Sequence, residues 1–137
     1  MLRPGIVPLL LTSLLVVACA SPNRVVPPDG ALSAAEIRAL FTGQTVKSVT
    51  FSKGTVRETY YMANGEMRRL RNGEVRKGTW RVRKNGRLCQ QVGDHQESCH
   101  AIVRAGDTHV KYVVRKNGDH RPIVRYISFT PGNPLRL

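Results

Sequence analysis

Thr79-Trp80-Arg81-Val82-Arg83, then Asn85-Gly86, then Arg87-Leu88-Cys89: apolar and charged side chains alternate on both sides of a tight-turn dipeptide. A period of two is the signature of a strand with one wet and one buried face. Here it sets Trp80 and Val82 against Arg81 and Arg83. Asn-Gly tolerates the positive φ angles of a two-residue hairpin turn, so this stretch reads as two antiparallel strands.

The pattern extends in both directions. Asn64-Gly65, Asn72-Gly73 and Asn117-Gly118 repeat the turn signal, with Gly93-Asp94 and Gly106-Asp107 between them. His109-Val110-Lys111-Tyr112 alternates again before Val113 and Val114. Breaks about every 8–13 residues predict a mainly β fold, an antiparallel meander of six to eight short strands. A half-barrel or a small sandwich would accommodate it. Before the first strand, Ser33-Ala34-Ala35-Glu36 is a capping box. Ile37, Leu40 and Phe41 share one face and Gly43 stands at the C-terminal stop, which predicts one short N-terminal helix over 34–42. A helix of that length must pack on the sheet to persist.

The N-terminus carries a different message. Met1-Leu2-Arg3 precedes an apolar run from Ile6 to Val17 that is shorter than the ~20 residues a spanning helix needs. It ends Val16-Val17-Ala18-Cys19, which resembles a bacterial lipobox. That resemblance implies a lipoprotein signal peptide over 1–18, lipidation of Cys19 and a lasting membrane anchor, since two or more acyl chains hold where one does not. Ala20, where Asp would signal inner-membrane retention, favours the outer membrane facing the periplasm. Residues 19–31, with Pro22, Pro27, Pro28 and Gly30, read as a tether. Residues 32–137 make the globular domain, a body of roughly 105 residues with room for one modest core.

Of the three cysteines, Cys89 and Cys99 remain once Cys19 is acylated. In an exported chain a structural disulfide is the leading expectation. The alternatives are a redox dithiol, which favours a C-x-x-C spacing absent here, and a metal site from Cys89, His95, Cys99 and His100, which needs four convergent ligands in a compartment that oxidises thiols. No metal and no cofactor is expected. No G-x-S-x-G or H-E-x-x-H occurs, and the carboxylates Glu66, Glu74, Asp94, Asp107 and Asp119 all adjoin glycines of turns, so catalysis is not expected.

The chain carries 22 Lys and Arg against 9 Asp and Glu. Without Arg3 the mature charge is 21 − 9 = +12. Behind an export signal the polyanions within reach are anionic lipid headgroups, cell-wall polymers and acidic proteins; nucleic acid is not an expected partner. Arg69, Arg71, Arg81 and Arg83 would form one polyanion-binding stripe if the strands that carry them share parity. The second reading is a carrier whose cavity is lined by aromatics such as Trp80 and Tyr112.

Several motifs together resemble a family of small exported bacterial proteins classed as a domain of unknown function (995-type). They are Leu32-Ser33 with Glu36, Gly43-Gln44-Thr45-Val46, Tyr60-Tyr61, Gly78-Thr79-Trp80-Arg81-Val82, Gly86-Arg87-Leu88-Cys89 with Cys99, and Pro131-Gly132-Asn133-Pro134. The resemblance implies an antiparallel β domain with a disulfide and transfers no catalytic residue. The chain departs from it in its basicity and in having His100 directly after Cys99.

Overall fold

The computed structural model describes residues 28–137; the expected signal peptide and Cys19 lie outside the described residues. Ser33 opens helix α1 (Ala34–Phe41) through the expected capping box. The Glu36 amide donates to Ser33 Oγ at 3.2 Å, and the Ser33 amide donates to Glu36 Oε2 at 2.7 Å. Eight strands follow: β1 (Gln44–Thr50), β2 (Val56–Tyr61), β3 (Glu66–Arg71), β4 (Glu74–Arg83), β5 (Arg87–Val92), β6 (Ser98–Ala105), β7 (Thr108–Val114) and β8 (His120–Pro131). Each pairs antiparallel with the next. The turn dipeptides fall where they were expected. Asn72 (φ 50) and Gly73 (φ 77) both take the left-handed conformation that a two-residue turn between right-twisted strands requires.

The sheet does not stop as a half-barrel or fold into a sandwich. It closes, because the 12-residue β8 pairs with β7 on one side and β1 on the other. Register shifts between Lys47 and Ser48 and between Lys111 and Tyr112 mark the irregularities at which the sheet can bend enough to close. Gly78 marks the tightest approach within it: a Cβ there would lie 2.3 Å from the Gln91 carbonyl oxygen on β5.

An eight-stranded barrel has an interior just wide enough for side chains to fill. One half is filled by the helix. Ile37 and Phe41 of α1 are fully buried, and the Phe41 ring meets Tyr61, Tyr126 and Phe129 edge to face at 5.0, 5.2 and 5.2 Å. Tyr61 in turn meets Trp80 at 5.4 Å, and the Trp80 indole donates to the Met62 carbonyl at 2.9 Å. On the outside, the last residues of the expected tether are pinned to β6 together with Leu32: the Arg104 amide donates to the Gly30 carbonyl at 3.1 Å, Ala31 bridges Val103, and the Leu32 amide donates to the Ile102 carbonyl at 2.8 Å.

Cys89 and Cys99 lie directly opposite each other on β5 and β6 and are joined as the disulfide. The bond consumes both thiolates, so the alternative metal set has no sulfur ligand to offer. His100 also sits one residue from Cys99 and therefore on the opposite face of β6. On the loop-entropy argument, replacing both cysteines by alanine lowers unfolding free energy by about 2–3 kcal/mol, measured by urea titration of the oxidised protein against the double variant.

Candidate functional site

Strand pairing decides which cations enter the barrel. Thr59 and Arg69 are opposite each other across β2 and β3, and Arg69 is opposite Arg76 across β3 and β4. Directly opposed residues point to the same side of a sheet, so Arg69 shares the face of Arg76 and hence of Trp80 and Val82. That face is the interior. Arg69 Nε donates to Thr59 Oγ1 at 3.2 Å, and Thr59 is buried. Arg71 lies two residues further along at the rim, and Arg57 stands two residues before Thr59 on the same face of β2.

The expected stripe of Arg69, Arg71, Arg81 and Arg83 is therefore split. Arg69 and Arg71 belong to the barrel mouth. Arg81 and Arg83 have the opposite parity and lie on the outer wall, opposite Cys89 and Arg87 of β5. Arg81 is already paired there, donating to Glu97 at 2.9 and 2.6 Å. The expectation of one stripe failed because it assumed the parity between β3 and β4, which the turn at Asn72-Gly73 sets one residue out of step with it.

The interior end away from the helix is polar and basic. Lys111 of β7 is 6% exposed and pairs with Ile102 and Val124, both of which face inward. Its ammonium donates to Gln90 Oε1, and Gln90 Nε2 donates to the Tyr61 hydroxyl at 2.6 Å. A cavity of about 220 Å³ opens beside them, with Arg57, Arg69, Gln90, His100 and Lys111 among its lining. It adjoins a wider mouth of about 410 Å³, where Arg71, Arg76, Glu74 and His95 join Arg57 and Arg69. The one carboxylate at this mouth, Glu74, is held by Arg76 at 3.1 Å. Among the described residues no carboxylate forms an ion pair with Arg57, Arg69 or Lys111.

That imbalance is visible in the ionisation of the groups. Burial first, then the positive charges of Arg69 and Arg57, press the Lys111 ammonium down to about 7. Burial first, then Lys111 and Arg87, press His100 down to about 4, so its ring is neutral at physiological pH. Burial and the neighbouring Arg69 and Arg71 also lower Arg57. Burial raises Tyr61 and Tyr126, which stay as phenols. Three inward-facing polar atoms, Arg57 Nε, His100 Nδ1 and Tyr126 Oη, are buried without a hydrogen-bond partner among the described residues. Buried polar atoms in native proteins are nearly always satisfied, so each of these is a vacant donor or acceptor position.

Sequence reasoning missed Arg57, Gln90, His100 and Lys111 as a group. Alternation in His109-Val110-Lys111-Tyr112 separates two faces without saying which is inside, and the valine and tyrosine suggest the wrong one. Tyr112 pairs with Ala101, which pairs with Arg87 on the outer wall, so Tyr112 does not line the interior. Phe51 is also outside, 45% exposed beneath the Arg125 guanidinium. The aromatics that do face inward are packed against α1. No protein-family model, no curated protein and no solved structure matches the chain.

Proposed function

We propose that this chain is a lipid-anchored protein of the bacterial envelope whose barrel is a non-enzymatic binding module for anionic partners. The observation that carries this reading is the charge at the open end. Arg57, Arg69, Arg71 and Arg76 converge on one mouth where Glu74 is the single carboxylate. Such a concave, one-signed surface concentrates field lines and draws polyanions. Guanidinium forks then pair bidentately with phosphate or carboxylate oxygens. The lipobox-like ending at Cys19 supports an anchor that would keep this mouth within tether range of an anionic surface. The competing apolar-carrier reading loses support, because the inward aromatics are occupied by Phe41 and Arg57, Arg69 and Lys111 stand in the lining of the open space.

Two arms test the proposal. Cys19→Ser should abolish incorporation of labelled palmitate and release the protein from the membrane fraction. Arg71→Glu combined with Arg76→Glu should weaken co-sedimentation with phosphatidylglycerol vesicles severalfold and flatten its salt dependence, while phosphatidylcholine vesicles bind neither protein. Binding to anionic vesicles that is unchanged by the double reversal overturns the mouth as the binding surface.

A further inference from the structure

The lumen behind the mouth contains something that a merely solubilising charge pattern would not. Surface cations keep a protein soluble without entering its core, and burying an ammonium without a counter-charge is costly. Lys111 is nonetheless inside, with Gln90 as its one hydrogen-bond acceptor among the described residues. Arg69 points into the same space, fixed by Thr59, and Arg57 and His100 line it, their Nε and Nδ1 atoms buried without a partner among the described residues. Gln90 is held in place by Tyr61, so the position of the Lys111 donor is set by a two-link chain rooted in the packed half of the barrel.

From this arrangement we propose that the lumen is a discrete site for one phosphate group, taken from the mouth and held by Arg57, Arg69, Lys111 and His100. This deepens the reading of the mouth as an anion-binding surface and rests on it.

Charge selects phosphate over carboxylate. Arg57 and Arg69 with the Lys111 ammonium make a field of up to three positive charges, which a carboxylate leaves largely uncompensated and a phosphate dianion nearly balances. Donor placement agrees: two guanidinium groups stand on the neighbouring strands β2 and β3 and an ammonium on β7, so an oxyanion between them would meet donors from two sides of the barrel. The neutral His100 ring offers a donor or an acceptor, matching either protonation state of the phosphate. Size sets the rest of the ligand outside. A lumen of about 220 Å³ takes the phosphate, while the adjoining mouth of about 410 Å³ takes what the phosphate is esterified to. Free inorganic phosphate and the terminal phosphate of a lipid headgroup share this chemistry.

The test is calorimetric titration of the full-length chain in nonionic detergent, with inorganic phosphate in one arm and dihexanoyl phosphatidic acid below its micellar concentration in the other. Chloride at matched ionic strength is the control. Saturable one-to-one binding is expected, at least tenfold weaker in Lys111→Met and in Arg57→Gln, with both variants checked for native circular dichroism. Tighter binding of the lipid assigns the site to a headgroup, and equal binding assigns it to free phosphate. Absence of one-to-one binding in both arms overturns the proposal, as does wild-type affinity in whichever variant folds. Vesicle co-sedimentation measured in parallel separates the two readings: retained vesicle binding without phosphate binding removes the lumen site and leaves the mouth standing.

Discussion

Phe41→Ala should lower the unfolding free energy by about 3–5 kcal/mol, the range expected when a fully buried phenylalanine leaves a cavity that cannot collapse. Collapse is blocked by the barrel itself. The three rings around Phe41 sit on β2 and β8, whose backbones are fixed by pairing on both sides, so they cannot follow the vacated volume. Edge-to-face pairs of this kind add about 0.5–1.5 kcal/mol beyond area burial, and Phe41 makes three of them. A domain of this size has only about 5–15 kcal/mol in total, so the variant loses a large fraction of its stability. Urea denaturation followed by Trp80 fluorescence measures it, because Tyr61 bridges Phe41 to the indole. Phe41→Leu, which refills most of the volume, should cost less than half as much. If Phe41→Ala falls within 1 kcal/mol of the wild type, the helix is not the plug that closes this end.

The strands and the helix were legible because their causes are local. The Ser33–Glu36 box, the Asn72-Gly73 turn and the Trp80/Val82 alternation each act within a few residues, and each stands where its local chemistry puts it. Closure was not legible. It depends on β8 meeting β1, a pairing between chain ends that no short pattern encodes. The candidate site was legible only in halves for the same reason. Arg69 and Arg71 were found as cations, but their side of the sheet depends on the register between β3 and β4. Lys111 was hidden more deeply. A lysine in an alternating strand reads as the solvent face, and only a functional or counter-ion demand justifies one inside. Such violations of local consistency mark places where a sequence serves something other than folding.

Lys111→Met should stabilise the phosphate-free protein at neutral pH, by about 2 kcal/mol, and remove most of its pH dependence above neutrality. An unfolded lysine titrates near 10.5, whereas burial and the fields of Arg69 and Arg57 hold Lys111 at about 7 in the fold. Between those values the unfolded chain carries a proton that the folded chain has shed, so wild-type stability rises with pH. The slope approaches about 1.4 kcal/mol per pH unit and levels off above the unfolded value. Below pH 7 both states are protonated and the penalty is present in full. His100 acts in the same direction lower down, between about 4 and its ordinary 6.5.

The other groups facing Lys111 supply no competing slope between pH 7 and 9. The cations there, Arg57 on β2 and Arg69 and Arg71 on β3, are guanidinium groups. Burial raises Tyr61 and Tyr126, so they oppose the rise only where unfolded tyrosines begin to ionise, at about 10, and Gln90 does not titrate. Glu74 at the mouth is paired with Arg76. Methionine keeps the volume of the lysine stem and removes the charge; against that gain stands the Gln90 carbonyl left without its donor, a cost of about 1–3 kcal/mol. Thermal unfolding in chloride from pH 6 to 9 reads the result, at roughly 4 °C of Tm per kcal/mol. Repeating the wild-type series in phosphate should flatten it, because an anion beside Lys111 restores its proton in the folded state. A wild-type Tm that does not rise between pH 7 and 9 in chloride would show that Lys111 already has its counter-charge within the protein, and the lumen would then have no need of an anion.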